Sequence, residues 1–172
     1  AISNSRLNGV KINLNSDSSI GINSTAAVDS QATIQNTSNI SNAFGIKSSG
    51  AVKNSGTIDL NSNGNVTGID GTVVTNAGTI KITGHSNGSN NVGAHGSSSA
   101  TNDSGHSITV TGYYHNAGLI APTVTNNGTI SVTGSYGDGI YADTNHATSS
   151  GSNSSITVTG SYNDGVKGAQ NA

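Results

Sequence analysis

Tyr114, Tyr136 and Tyr162 recur at one place in this chain, each four residues after a valine: Val110, Val132 and Val158. Two residues beyond the tyrosines lie Asn116, Asp138 and Asp164. Aromatic faces stack on the apolar patches of a ligand, and nearby carboxylate or amide groups take its hydrogen bonds. These six residues are therefore the candidate ligand-binding strip, for a sugar or for a protein. The alternative is structural: rings that pack on one another and stiffen a long corner. Tyr113 and Tyr141 complete the set of five, all in the C-terminal half. Asp138 and Asp164 are also oxygen donors of the kind that share a Ca²⁺. Two carboxylates are few for that, and the Gly-Gly-x-Gly-x-Asp calcium repeat is absent. No cofactor and no metal are implied.

Catalysis asks for more. Cleaving a polysaccharide takes clustered acids, or a basic residue beside a bound metal, on one face. Asp17, Asp29, Asp59, Asp70 and Asp103 fall at unrelated places in the repeat described below, and Arg6 is the only arginine. His85, His95, His106, His115 and His146 show no ligand-type i, i+2 or i, i+4 pairing and read as solvent-facing loop residues. A non-catalytic chain is expected, with a polysaccharide-active enzyme as the competing class.

Composition narrows the field. Of 172 residues only 8% are charged and 3% aromatic; 24 are Gly, Pro122 is the lone proline, and there is no Cys, Met or Trp. Small polar residues and few aromatics suit disorder, but disordered chains usually carry high net charge, and here it is −2. The six Lys and Arg are scattered, too few for a groove that tracks phosphates, which excludes nucleic acid as a partner. No apolar run reaches the length of a membrane-spanning helix, so no membrane insertion is expected of this segment. Without Cys there are neither disulfides nor thiolate metal sites.

An internal repeat decides the fold. Ile12, Ile34, Ile58, Ile80, Ile108, Ile130 and Ile156 each open a short strand, at intervals of 22, 24, 22, 28, 22 and 26 residues. Two positions later stands Leu14, Leu60, Ile82, Val110, Val132 or Val158, with Asn36 breaking the pattern once. A second apolar place follows a Gly: Ile22, Ile46, Ile69, Ala94, Leu119, Ile140 and Val166. A third lies six residues before the next anchor, at Val28, Val52, Val74 and Val124. Asn8, Asn54, Asn76 and Asn126 stand four residues before an anchor, with Ser30 and Ser152 at the same offset. They are expected to stack as an inward amide ladder that is structural.

Alternation of period two puts the apolar residues inside and the polar ones outside. The reading is all-β: a right-handed parallel β-helix of about seven coils of roughly 22–28 residues, with three short strands per coil, built as one segment over 1–172. A core of Ile, Val, Leu and Ala, with Phe44 the only Phe, is expected. Neither end looks capped: Ala1-Ile2 opens in repeat-like sequence and Gln170–Ala172 follows a strand directly. A segment of a longer rod is the expectation. The outward Thr109 and Thr111, Ser131 and Thr133, Thr157 and Thr159, preceded by Lys81 and Thr83, form a Thr-x-Thr-like array. That array is either ordinary outward strand residues or an ice-binding face.

The motif N-x-G-T-I-x-V-T-G followed by G-I resembles the passenger regions of bacterial autotransporter adhesins, the pertactin-like β-helices. Asn76–Gly84, Asn126–Gly134 with Gly139-Ile140, and Ser155–Gly160 with Gly165-Val166 carry the likeness. The resemblance implies a secreted rod displayed on the bacterial surface, anchored in the outer membrane through regions not present here. It implies adhesion or self-association, as in aggregation or biofilm. Its partner would be a host surface protein, a glycan, or another copy of itself.

Overall fold

Strings of Ile, Val and Thr separated by Gly, Asn and Ser leave the backbone extended and give it corners to turn on. The computed structural model describes residues 6–85 and 90–168. The expectations for Ala1-Ile2 and Gln170–Ala172 lie outside those residues. The strands are β1 (Arg6–Leu14), β2 (Ile20–Ser24), β3 (Val28–Asn36), β4 (Ala43–Ser48), β5 (Val52–Asn54), β6 (Thr57–Ser62), β7 (Val66–Asn76) and β8 (Thr79–Gly84). They continue as β9 (Asn91–Asn102), β10 (Ser107–Tyr114), β11 (Ala117–Asn126), β12 (Thr129–Ser135), β13 (Asp138–Ser149), β14 (Ser155–Thr159) and β15 (Asp164–Gly168). All pair in parallel, each with the equivalent strand of the turn before and after, and no helix occurs among the described residues. The chain is a parallel β-solenoid.

All seven anchor isoleucines form one ladder, Ile12 on Ile34 on Ile58 on Ile80 on Ile108 on Ile130 on Ile156. Seven rungs enclose six turns, one fewer than the number of coils read from the sequence. The Gly-Ile strands stack Ile22, Ile46, Ile69, Ala94, Leu119, Ile140 and Val166 in the same way. The third side stacks Val28, Val52, Val74, Ala100, Val124 and Ala147. Three separate strands per turn occur only over β4, β5 and β6. Elsewhere the chain crosses a corner without leaving extended geometry, and two pieces fuse, as in β3, β7, β9, β11 and β13.

The interior is very thin. Just before each apolar residue of the second side stands a glycine, and Gly21, Gly45, Gly68, Gly93, Gly118 and Gly139 each face the Cγ2 of an anchor Ile across the interior. A Cβ added at Gly93 would lie 2.4 Å from Ile108 Cγ2 and 2.6 Å from the Gly118 carbonyl oxygen. At Gly118 the distances would be 2.4 Å to Ile130 Cγ2 and 2.5 Å to the Gly139 oxygen. The anchor Ile of each turn therefore fills its cross-section by resting on bare backbone opposite. Phe44, expected in the core, does not fit there. It faces outward, half-buried, with the Lys47 ammonium 4.2 Å from its ring centroid. Asn36, the break in the anchor pattern, is buried but satisfied: its Nδ2 donates to the Asn61 carbonyl at 2.8 Å and its Oδ1 accepts from the Asn61 N–H at 2.7 Å.

The corner before the anchor strand holds an amide ladder. Asn54 Nδ2 donates to Asn76 Oδ1 at 3.0 Å, Asn76 to Asn102 at 2.9 Å, and Asn102 to Asn126 at 2.9 Å. All four are fully buried. Ser30 and Ser149 stand at its two ends in register. Three assignments from the sequence change here. Asn8 is exposed and pairs with Gln31, one place out of line. Ser152 is exposed in a turn, and Ser149 takes its place. Asn102 joins, although it stands six residues before its anchor, because two extra residues sit in the corner between them.

The thin interior predicts a position-dependent response. Gly93→Ala must displace backbone and Ile108, and should destabilise by about 1–3 kcal/mol or more, the range for overpacked cores. Gly165→Ala occupies the same column at the last rung, where an added Cβ meets nothing within 4 Å. It should change stability by no more than about 0.5 kcal/mol. Thermal melts of the two variants beside the parent check the contrast; equal losses would mean that the glycines are kept for some other reason.

Candidate functional site

The corner between the anchor strand and the Gly-Ile strand carries the aromatic residues. One position in it takes a left-handed backbone: Ser18, Asn42, His115, Tyr136 and Tyr162 have φ of 59°, 53°, 47°, 55° and 58°. The same hydrogen bond recurs there. Ser18 N–H donates to the Ser41 carbonyl at 2.8 Å, His115 N–H to Ser135 at 3.0 Å and Tyr136 N–H to Ser161 at 3.0 Å. Asn tolerates this conformation readily, whereas a bulky residue in it costs roughly 1–3 kcal/mol. The first turns use Ser and Asn; the last three hold rings.

Those rings stack. Tyr136 and Tyr162 have centroids 5.0 Å apart with planes 8° from parallel, and His115 lies 5.6 Å from Tyr136 at 28°. The ladder is thus His115–Tyr136–Tyr162. Tyr114 was expected as its first member, but one inserted residue puts Tyr114 opposite Ser135; it leans on Tyr136 from 6.2 Å at 31°. The stack stands in solvent, with Tyr136 46% and Tyr162 79% exposed.

The next positions differ from the sequence reading as well. Asn116 is fully buried and belongs to the interior. Its Oδ1 accepts from Asn91 Nδ2 at 3.2 Å and its Nδ2 donates to the Thr133 carbonyl at 3.2 Å. It is therefore a structural amide, not a surface ligand group. Asp138 and Asp164 are in register with each other and with Ala117 on the outward side of the Gly-Ile strand. Going upward, that outward column reads Phe44, Thr67, Val92 and Ala117 before the two aspartates. Ala117 is its smallest member and leaves a depression. The depression opens into a groove of about 290 Å³, walled by the ring ladder on one side and by Tyr141 and Ile120 on the other.

Asp138 sits in this groove with its side chain 19% exposed, and Lys167 Nζ lies 3.7 Å from its Oδ2. The same ammonium is 5.9 Å from the centre of the Tyr141 ring. Desolvation pushes the Asp138 carboxyl above its ordinary 3.8; Lys167 opposes this and Asp164 adds to it. Sequence reasoning missed Lys167, Tyr141, His115 and Ala117 as neighbours of Asp138. Their columns are set by the Gly-Ile register, which was itself legible.

The remaining polar groups are dispersed. Asp70 Oδ1 meets His95 Nδ1 at 2.8 Å, with Lys47 Nζ 4.0 Å from Oδ2. Asp59 pairs with Lys81 at 3.5 Å on the anchor face. His95, expected as a solvent-facing loop residue, instead lies in β9 with an acid partner, whereas His115 is exposed at the corner as expected and stacks on Tyr136. No group of three His, Cys, Asp or Glu side chains able to hold a metal gathers among the described residues. The hydroxyl array is wider than the spacing suggested: Thr57, Thr79, Ser107, Thr129 and Ser155 form a further outward column beside it. A groove of about 350 Å³ on the third side, between Ala27, Val28, Lys53 and Val73, is larger but has no ring in its walls.

The shift at Asp138 has a sign that can be tested. A carboxyl held above its unfolded value favours the fold when protonated and opposes it when ionised. Its stabilising contribution is complete below pH 3.8 and is lost as pH rises through the folded value. Asp138→Asn, which keeps the neutral shape, should therefore raise the melting temperature at pH 7. The difference should close below pH 3.8. Melts from pH 3 to pH 8 check this; a lower melting temperature for the variant at pH 7 would mean that the Lys167 pair outweighs the burial. No protein-family model matches the chain, and neither a curated protein nor a solved structure does.

Proposed function

We propose that the chain is a non-catalytic binding segment of a bacterial surface rod, of the pertactin-like autotransporter type, that mediates adhesion or self-association. The aromatic corner of the last three turns is its working surface. One observation carries the reading: a backbone position that the first turns fill with Ser18 and Asn42 holds His115, Tyr136 and Tyr162 in the last three. His, like Asn, tolerates this conformation, but each of the two tyrosines raises the backbone energy by roughly 1–3 kcal/mol, and a stacked pair returns only about 0.5–1.5 kcal/mol. Folding alone is therefore served as well by Asn. Exposed aromatic side chains kept at a strained position are the kind of feature that contacts a partner. On a rigid rod such contacts add along the axis, and display of many rods multiplies them.

The test is sedimentation velocity over a wide concentration range on the parent and on Tyr136→Asn/Tyr162→Asn. The substitution copies the residue used upstream and relieves backbone strain, so circular dichroism should be unchanged and the melting temperature should not fall. Association of the parent that disappears in the variant supports self-recognition at the corner. A parent that stays monomeric throughout sinks self-association and leaves adhesion to another molecule.

A second reading has one observation in its favour. Asp138 and Asp164 are paired in register on adjacent turns, and Asp138 holds its proton more tightly than an ordinary carboxyl. A neighbouring pair of carboxyl groups, one of them held protonated by burial, is what glycoside hydrolysis uses. Release of reducing ends from neutral oligosaccharides that is abolished by Asp138→Asn would favour hydrolysis; no release by the parent leaves binding alone.

A further inference from the structure

We infer that the groove beneath the ring ladder binds a neutral saccharide chain lying along the solenoid axis. The inference rests on the corner being the binding surface and adds the chemical class of what it binds. The walls are the ring ladder on one side and Tyr141 with Ile120 on the other, Ala117 lies between them, and the polar groups are a carboxylate, an ammonium, an imidazole, the Asn116 amide and phenol hydroxyls. That mixture selects by elimination. A purely apolar ligand would strip water from the Asp138–Lys167 pair and replace it with nothing, which is unfavourable. An anionic ligand meets the Asp138 carboxylate in the groove, has Asp164 one turn further on, and finds the one lysine there already paired with Asp138. A cationic ligand must compete with Lys167, already placed beside both Asp138 and the Tyr141 ring. A sugar ring suits all the groups at once. Its C–H groups pack against the ring edges that the ladder turns to the groove, and its hydroxyls both donate and accept, so one neutral molecule can serve the carboxylate and the ammonium together.

The repeat sets the direction. The rings step along the axis at 5.6 Å and 5.0 Å, close to the spacing of adjacent strands. An extended chain of pyranose rings advances by nearly one strand spacing per residue, so successive sugars meet successive rungs. Three ring rungs, at His115, Tyr136 and Tyr162, fix the length of chain that gains contacts.

The test titrates the whole chain with cellooligosaccharides and chitooligosaccharides from one to six sugars, and screens it on an array of neutral glycans. Polygalacturonate serves as the anionic control. Tyrosine fluorescence reports binding, since the chain has no Trp to mask it. Affinity should rise with length up to about three or four sugars and then level off, by the count of rungs. Tyr136→Asn/Tyr162→Asn should weaken binding by about tenfold or more, since it removes two of the three ring rungs that wall the groove. Ala117→Phe should abolish binding by filling the depression. It should also fold normally, because Phe44 occupies that same column three turns earlier. Failure to retain any neutral glycan, equal retention by both variants, or affinity that does not grow beyond one sugar would overturn the inference. Corner-dependent association of rods without sugar binding would leave the corner as the binding surface and remove only the saccharide. Absence of both removes both.

Discussion

The structure depends on how closely two strands approach across a very thin interior. The anchor isoleucine of each turn rests its Cγ2 on a glycine opposite, at separations that leave no room for a methyl group. Interiors pack to the density of organic crystals, so this spacing fixes what can be inside. One layer of Ile, Leu, Val or Ala fits; an aromatic ring does not. Phe44, Tyr114, Tyr136 and Tyr162 are consequently pushed to the outside, where each must find a partner or stand in water. A rule about the core thereby creates the surface feature on which binding is proposed.

With so little apolar surface per turn, the corners must contribute. The buried Asn54, Asn76 and Asn102 each donate to the next amide along the axis, ending at Asn126, which donates to Ser149 Oγ, and their other amide groups bind the local backbone. An orphaned buried amide costs about 1–3 kcal/mol, so each member needs the turn above and the turn below. The cohesion is between nearest neighbours, as in other solenoids. Outward residues take little part in it. That division lets one column read Phe, Thr, Val, Ala, Asp and Asp without disturbing the fold, and frees the outer faces to vary.

What could be read from the sequence follows from where the chain absorbs insertions. The seven isoleucine rungs and the seven rungs after glycine were legible in full, because each lies in the same strand as the residue that identifies it. Hydrogen-bonded register cannot slip there without turning every side chain to the wrong face. Residues counted across a corner were read less well. Two extra residues hid Asn102 and Ala100, a bulge displaced Asn8, and one extra residue made Tyr114 look equivalent to Tyr136. Asn116 was misplaced by the same insertion: counted from Tyr114 it matches Asp138, whereas in register it lies one place earlier and points inward. The glycine column was visible as a recurring Gly before Ile. Its reason was not, since the contact it permits is with a strand many residues away.

The groove shows how one small residue gains meaning from its neighbours. Alanine at 117 is unremarkable in sequence, and its column tolerates larger residues in earlier turns. It makes a cavity only because the rings of the next corner stand beside it and Asp138 projects from the turn above. Bringing Asp138, Asp164 and Lys167 together has an electrostatic consequence: burial and a like charge raise the carboxyl while the ammonium lowers it, and burial prevails. A fold seeking only stability would place Asn or Thr at 138, as Thr67 does lower in the column. Retaining an ionisable, partly desolvated group beside an exposed aromatic stack is a local conflict between stability and surface chemistry. Such conflicts collect where a protein meets its ligand, and among the described residues this corner is where backbone strain, aromatic exposure and a perturbed carboxyl coincide.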